Sequence, residues 1–300
     1  MPNTFHHALL AGCTAMLAAP AITAAERSDQ ETALELINPI SGLTSFYNGF
    51  EFRNFQGSLP QAGDQDQGYY TLTSSVPFEL DNGKRIVVRA SLPISFGTPT
   101  YETPEDDLGE WQIRKVADTL PTDGYFISGH GHLDDITWDV AYGGVSDSGL
   151  ITMIGVAGAF PTSQDGSIER DQYLLGPEFA IGKVSDWGTY GVWLKHWVDV
   201  ADVSGRDVKW STNETYLKFF FAYGLGNGWN IIANPEIEYD WEGAGSNKLY
   251  LPIGGGISKT TELWRVPVKM DLELYNYIES PDAFGPEWML TFAITPVWQR

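Results

Sequence analysis

Between positions 265 and 279 the chain alternates almost without error. Val266, Val268, Met270, Leu272, Leu274 and Ile278 fall on one side, and Lys269, Asp271, Glu273, Tyr275, Tyr277 and Glu279 on the other. A period of two is the spacing of a β-strand. The pattern returns further upstream, where Trp229, Ile231, Ala233, Ile237, Tyr239 and Trp241 share one face and Asn230, Asn234, Glu236, Glu238 and Asp240 the other. Such a two-faced ribbon suits a soluble sheet with its apolar face packed inward. It equally suits an outer-membrane barrel with that face toward lipid and the carboxylates toward the lumen.

The connections discriminate between the two. β-type runs recur near 43–56, 68–80, 85–97, 133–144, 149–161, 173–184, 188–200, 210–223, 229–241, 248–258, 265–278 and 286–298. That gives about twelve strands, and closed bacterial barrels hold an even number. Alternate connections are short and made of turn residues: Asp81-Asn82-Gly83-Lys84, Ser146-Asp147-Ser148-Gly149, Ser185-Asp186-Trp187-Gly188 and Leu225-Gly226-Asn227-Gly228. Those between them, notably 57–67, 98–132, 161–172 and 201–209, are longer and more acidic. Short turns on one rim and long loops on the other is the outer-membrane arrangement, and a soluble sandwich has no physical reason to keep that parity. Pro77, Pro93, Pro177, Pro235, Pro252, Pro267 and Pro296 each remove a ladder hydrogen bond, so bulges or rim positions are expected there.

Aromatic spacing points the same way. Trp229 and Tyr239 lie ten positions apart on one apolar face, as do Trp288 and Trp298 on the last strand. At roughly 3.3 Å per residue and a tilt of roughly 40°, ten residues rise about 25 Å, the height of the apolar band between two aromatic girdles. Tyr190, Trp229, Tyr239, Trp241, Trp288 and Trp298 are accordingly expected at the membrane interfaces. His196, on the same face as Tyr190, Val192, Leu194 and Val198, is expected to anchor at headgroup level.

A formal net charge of −21 argues against a nucleic-acid surface, because a polyanion repels phosphate. The 11 Trp, 14 Tyr and 15 Phe argue against a disordered acidic chain. Residues 1–25 have the shape of a signal peptide, with an apolar run through Leu17 to Ala25 before the first charges at Glu26 and Arg27. Leu10-Ala11-Gly12-Cys13 resembles a lipoprotein box, but the apolar run continues well past it. Cys13 would leave with the leader, and the mature chain would have no thiol. No later segment offers roughly 18 or more uninterrupted apolar residues, so any membrane crossing must be made by strands.

The expected organisation is a signal peptide at 1–25, an N-terminal periplasmic segment at 26–42 and a barrel at 43–300. Within 98–132, Leu108, Trp111, Ile113, Val116 and Leu120 surround Arg114 and Lys115 in the pattern of a short amphipathic helix. A constriction inside the lumen and a cover over the outer mouth both fit, with a mobile surface loop as the default.

Several clusters together resemble the outer-membrane transporter family named for the MetA pathway of phenol degradation. They are Asn38-Pro39, Leu133-Asp134-Asp135-Ile136, Gly176-Pro177 with Lys183, His196, Tyr239-Asp240-Trp241-Glu242, Pro252-Ile253 with Gly256 and Ser258-Lys259, and Ser280-Pro281-Asp282 before Gly285-Pro286-Glu287-Trp288. The resemblance implies an exported outer-membrane β-barrel transporter. Two features depart from the family pattern: the 98–132 loop, and an ending Trp298-Gln299-Arg300 in place of a terminal aromatic.

With the faces assigned this way, Arg85, Arg89, Lys195, Glu214, Lys218, Glu236, Glu238, Asp240, Lys269, Asp271 and Glu273 line the lumen. As a set they describe an acidic pore wall that favours cations or polar solutes carrying donors. Taken singly, each fits an ion pair across the ladder. His130 and His132, near Asp134 and Asp135, lack zinc-type spacing and read as surface histidines beside carboxylates. An outer-membrane hydrolase would need an activated serine, but no Gly-x-Ser-x-Gly elbow occurs and no serine and histidine lie together in a hairpin. A soluble periplasmic sandwich that binds sugars through its tryptophans conflicts with the hairpin parity.

The fold expected is therefore all-β, an antiparallel up-and-down transmembrane β-barrel with short periplasmic turns and longer extracellular loops. It would sit in the outer membrane of a Gram-negative bacterium and pass small molecules, hydrophobic or aromatic compounds among them. No cofactor, metal or catalytic residue is expected. The expected partners are outer-membrane lipid, the barrel-assembly machinery during biogenesis and a small-molecule solute of unspecified chemistry.

Overall fold

Backbone pairing alone closes the molecule in the computed structural model, which describes residues 28–104, 107–129, 131–163, 170–205 and 208–298. The expected signal peptide lies outside the described residues. Twelve strands form the wall: β1 Thr44–Gln56, β2 Asp66–Glu79, β3 Arg85–Phe96, β4 Ile136–Val145, β5 Leu150–Phe160, β6 Gln172–Ser185, β7 Gly188–Asp202, β8 Asn213–Gly226, β9 in two pieces (Trp229–Ala233 and Glu236–Asp240), β10 Leu249–Leu263, β11 Val266–Glu279 and β12 Gly285–Trp298. Each pairs antiparallel with the next, and β12 returns to β1 with Glu51 opposite Thr291, so no edge remains.

Side-chain alternation carries through the whole ring. On β11, Leu272 and Leu274 are exposed on the outside, whereas Lys269, Asp271 and Glu273 are buried within. On β12, Leu290, Phe292 and Ile294 face out while Thr291, Ala293 and Thr295 face in. An apolar exterior around a polar interior is the inversion that distinguishes a membrane barrel from a soluble one.

The short turns lie on one rim. Between β8 and β9 the two-residue turn is Asn227-Gly228, with φ of 52° and 75°. Both residues occupy the left-handed region that a primed hairpin turn requires. Trp264 and Arg265 make the same kind of turn between β10 and β11 at φ of 50° and 68°, without a glycine, and Trp264 is 95% exposed.

The prolines act locally. Pro252 coincides with a register shift on β10. Pro235 sits between the two pieces of β9, where the β9–β10 ladder jumps from Ile232 opposite Gly256 to Glu238 opposite Tyr250. Asn234 fills part of that break: its backbone N–H donates to Tyr275 Oη at 2.8 Å and its side chain to Glu273 Oε2 at 3.1 Å.

Both ends of the barrel are covered. At the short-turn rim, helix α1 (Asp29–Glu35) starts with a capping box between Ser28 and Glu31 and packs against the inner side of β7 to β11. The chain beyond it places Ile37 and Ile40 among Val87, Ala141, Ile151, Met153, Phe220 and Ile232, inward residues of strands from around the ring. The stretch assigned from sequence to a periplasmic segment thus packs inside the barrel mouth.

At the long-loop rim, the 97–135 connection forms a small three-stranded sheet (Pro99–Glu102, Asp107–Leu108, Tyr125–Ser128) and helix α2 (Glu110–Val116). Tyr101, Leu108 and Ile113 pack with Phe55, Leu59 and Phe284 into a second apolar core over the mouth. The default of a mobile loop is replaced by a packed lid, because its apolar stripe finds partners in two neighbouring loops.

Candidate functional site

Between the two covers lies a cavity of about 660 Å³ that adjoins a side compartment of about 400 Å³ behind the β9–β10 break. Its walls are the inward positions of the strands, and its roof is α2.

The roof is held by charge. Arg114 is 2% exposed, pairs with Glu238 and donates to the carbonyls of Asn247 and Lys248 at 3.2 and 3.1 Å. Lys115 meets Asp240 at 2.6 Å, and Arg170, from the next long loop, meets Glu214 at 2.8 Å. Trp111 Nε1 also donates to Glu214 at 2.9 Å, and Tyr250 Oη donates to Glu110 at 2.6 Å. Burial opposes the charge on Arg114, but Tyr250, Glu238 and Glu214 outweigh it and hold the guanidinium well above its ordinary pKa. Burial also opposes the charge on Arg170, where Glu214 reverses the effect and raises the value. For Lys115 burial wins over Asp240, and the ammonium falls below its usual range.

The floor is held by two arginines. Arg85 reaches Glu35 at 3.3 Å, Glu79 at 3.0 Å and the Ile40 carbonyl at 3.0 Å. Arg89 grips Asp139 at 2.7 Å, stands 3.8 Å from Glu178, donates to the Pro39 carbonyl and stacks over the Trp193 ring at 4.5 Å. Both therefore pin the N-terminal segment in the lumen.

The other positions read from sequence as lumenal also point inward. Lys195 stands 3.6 Å from Glu236, and Lys269 bonds Asp271 at 2.7 Å on its own strand. Glu273 accepts from Tyr275 and Asn234. Lys218 lines the cavity and, among the described residues, takes part in no hydrogen bond or ion pair. Glu214, Glu238 and Asp240, three carboxylates of the expected acidic wall, already hold cations supplied by loops.

Strand-by-strand reading passes over the aromatic part of the site. Trp193 and Trp197 flank Lys195 at period two, and Tyr216 lies between Glu214 and Lys218. Extending the alternation through both strands would have found them. The interface aromatics lie outside: Trp229 near the turn rim, Tyr239 and Trp241 stacked edge-on at 4.8 Å near the loop rim, Trp288 against Phe52, Trp298 against Phe46, and Tyr190 on Trp187 at 5.3 Å. His196 bonds Thr215 Oγ1 at 2.8 Å on the outer face.

Near the mouth, Ser95 and His132 face each other across a short ladder, a juxtaposition hidden by their distance in sequence. Ser95 Oγ donates to Asp134 at 2.7 Å, and His132 Nε2 lies 3.3 Å from the other oxygen of the same carboxylate. Tyr69 donates there as well. The carboxylate, not the imidazole, receives the serine proton, which is not the arrangement of an activated nucleophile. Among the described residues, no cluster of three or more His, Cys, Asp or Glu side chains could hold a metal ion.

An outer-membrane channel from Pseudomonas putida F1 superposes with a TM-score of 0.57 at 11% identity, over 86% of this chain and 96% of that one. A NanC porin gives 0.47 at 10% identity, over 86% and 99%, and the Pseudomonas putida toluene transporter TodX gives 0.45 at 8%, over 89% and 93%. No family model and no curated sequence matches the chain. At these identities the likeness is one of fold. The class defined is the closed twelve-stranded β-barrel of outer-membrane proteins. The MetA-pathway resemblance rests on its motifs alone.

Proposed function

We propose that the protein is a passive outer-membrane channel for small molecules. The observation that carries this reading is the pair of adjoining polar and aromatic cavities in the middle of a barrel whose ends are covered by segments rather than by the wall itself. Covers held by ion pairs, hydrogen bonds and apolar packing rather than by pairing with the wall strands can part without breaking the ladder. Placement with the MetA-pathway transporters is part of this reading and is supported by Asn38-Pro39, Asp134-Asp135 and Tyr239-Asp240, which sit at the two covers.

A second route is favoured by the β9–β10 break. The side compartment lies against Asn234, Pro235, Glu236 and Pro252, where β9 and β10 form no ladder pair with each other, so an apolar solute could leave sideways into lipid.

Planar-bilayer conductance tests the channel. Deleting residues 28–36 removes α1 but keeps the Pro39 and Ile40 carbonyls that Arg89 and Arg85 hold. Wild type should conduct weakly and the deletion variant several-fold more. Equal, negligible conductance from both, with the heat-modifiable migration of a folded barrel, would remove the reading.

A further inference from the structure

We propose that the side compartment behind the β9–β10 break binds a primary ammonium carried on an apolar body, an arylalkylamine. The ammonium would rest on the Glu273 carboxylate and the hydroxyls of Thr291 and Tyr47, and the apolar body on Met289, Pro252 and Tyr277. This names a solute class for the channel and rests on that reading.

Cross-strand register assembles the site. Thr291 of β12 stands opposite Glu51 of β1 on one side and Glu273 of β11 on the other, so all three form one inward row. Thr291 is 6% exposed and lines the compartment, and among the described residues its hydroxyl makes no hydrogen bond. Tyr47 lies along β1 over Gly49, where a Cβ would come 2.4 Å from its ring, so its phenol is carried from position 47 toward Glu51. That hydroxyl stands in the field of Glu51, Asp271 and Glu273 and likewise makes no hydrogen bond among the described residues. The next inward rows toward the outer mouth hold Met289 beside Tyr275 and then Tyr277 beside Pro252.

The charge left over in the barrel is negative, and it falls in this compartment. Arg89, Lys195 and Lys218 face Asp139, Glu178 and Glu236. Arg114 holds Glu238, Arg170 holds Glu214, Lys115 holds Asp240 and Lys269 holds Asp271. Arg53, at 2.9 Å from Glu51, then remains as the cation for both Glu51 and Glu110. Glu273 has neutral donors alone, Tyr275 Oη and the Asn234 amide. A primary ammonium brings one positive charge and three N–H donors, which match an unbalanced carboxylate and two idle hydroxyls. The compartment's volume of about 400 Å³ falls in the range of small-molecule sites.

The test is calorimetric titration of the full chain in a nonionic detergent at pH 7 with phenethylamine, its trimethylammonium analogue, phenethyl alcohol and 3-phenylpropionate. Phenethylamine should bind tightest. Glu273→Gln should weaken it about tenfold, the loss of one charge-assisted contact, and leave phenethyl alcohol nearly unchanged. Thr291→Val keeps the side-chain shape without the hydroxyl, so it should weaken phenethylamine several-fold and spare the trimethylammonium probe, which has no N–H to donate. It also provides a reading should Glu273→Gln fail to fold. Phenethylamine no tighter than phenethyl alcohol, preference for 3-phenylpropionate, or indifference to either substitution in a folded barrel would each overturn the proposal. Bilayer conductance without phenethylamine binding would sink this proposal alone, and phenethylamine binding without conductance would sink the channel.

Discussion

Arg89→Gln is the substitution for which the structure sets the clearest magnitude. The guanidinium meets Asp139 through two nitrogens, at 2.9 and 2.7 Å, with the side chains only 10% and 12% exposed, and Glu178 stands 3.8 Å away with its side chain fully enclosed. A neutral amide would leave two inward carboxylates facing each other without their cation. Removing one partner of a buried pair costs about 3–5 kcal/mol, most of it the penalty on the charge left behind. With a urea slope of roughly 3 kcal/mol per M, the unfolding midpoint should fall by about 1–2 M. The assay is reversible unfolding in detergent, followed by tryptophan fluorescence and checked by heat-modifiable migration. Adding Asp139→Asn should restore part of the loss, since it removes one of the stranded charges. A single variant within about 1 kcal/mol of wild type, or a double variant no better than the single, would refute the reasoning.

Leu274→Arg, on the lipid face near the middle of β11, should cost about 2–4 kcal/mol in liposome refolding, while Ile278→Arg toward the rim should cost about 0–1; equal costs would reverse the assignment of faces. Asp135, at the mouth, accepts from the N–H groups of Thr162 and Ser163 at 3.0 and 3.1 Å, yet burial raises its pKa above the ordinary carboxyl value despite those bonds and Arg170. Because the folded chain holds that proton more tightly than the unfolded one, this group's contribution becomes less favourable as pH rises from the unfolded pKa through the folded one. Asp135→Asn keeps an acceptor without the charge, so it should raise stability at neutral pH and flatten that part of the pH profile. A loss of stability at pH 7 in the same denaturation assay would count against it.

The strands were legible because period two and turn residues are local. Register and parity followed from Asn227-Gly228 and its counterparts, and the predicted limits lie within about five residues of the observed ones. The largest error is at β10, expected to end at 258 but running to Leu263, because Thr260, Thr261 and Glu262 read as loop while pairing with β11 at the rim. The two covers were not legible. Arg114 finds Glu238 from 124 positions away, and nothing local marks either as the other's partner. Ile37 and Ile40 are too few to make a periodic pattern, so their burial comes wholly from tertiary context. Asn38-Pro39 and Asp134-Asp135 stood out only as motifs. The structure gives them work: Pro39 holds Arg89, Asn38 caps the Ile40 N–H at 3.0 Å, and the two aspartates tie loops at the mouth.

Three carboxylates on β8 and β9 receive their counter-ions from outside the wall: Glu214 from Arg170, Glu238 from Arg114 and Asp240 from Lys115. On the channel reading the lid cannot part as a neutral body, since Arg114 and Lys115, if withdrawn, must be replaced by water or a dissolved ion. Ambient sodium or potassium would then compete for the acids that such a movement vacates.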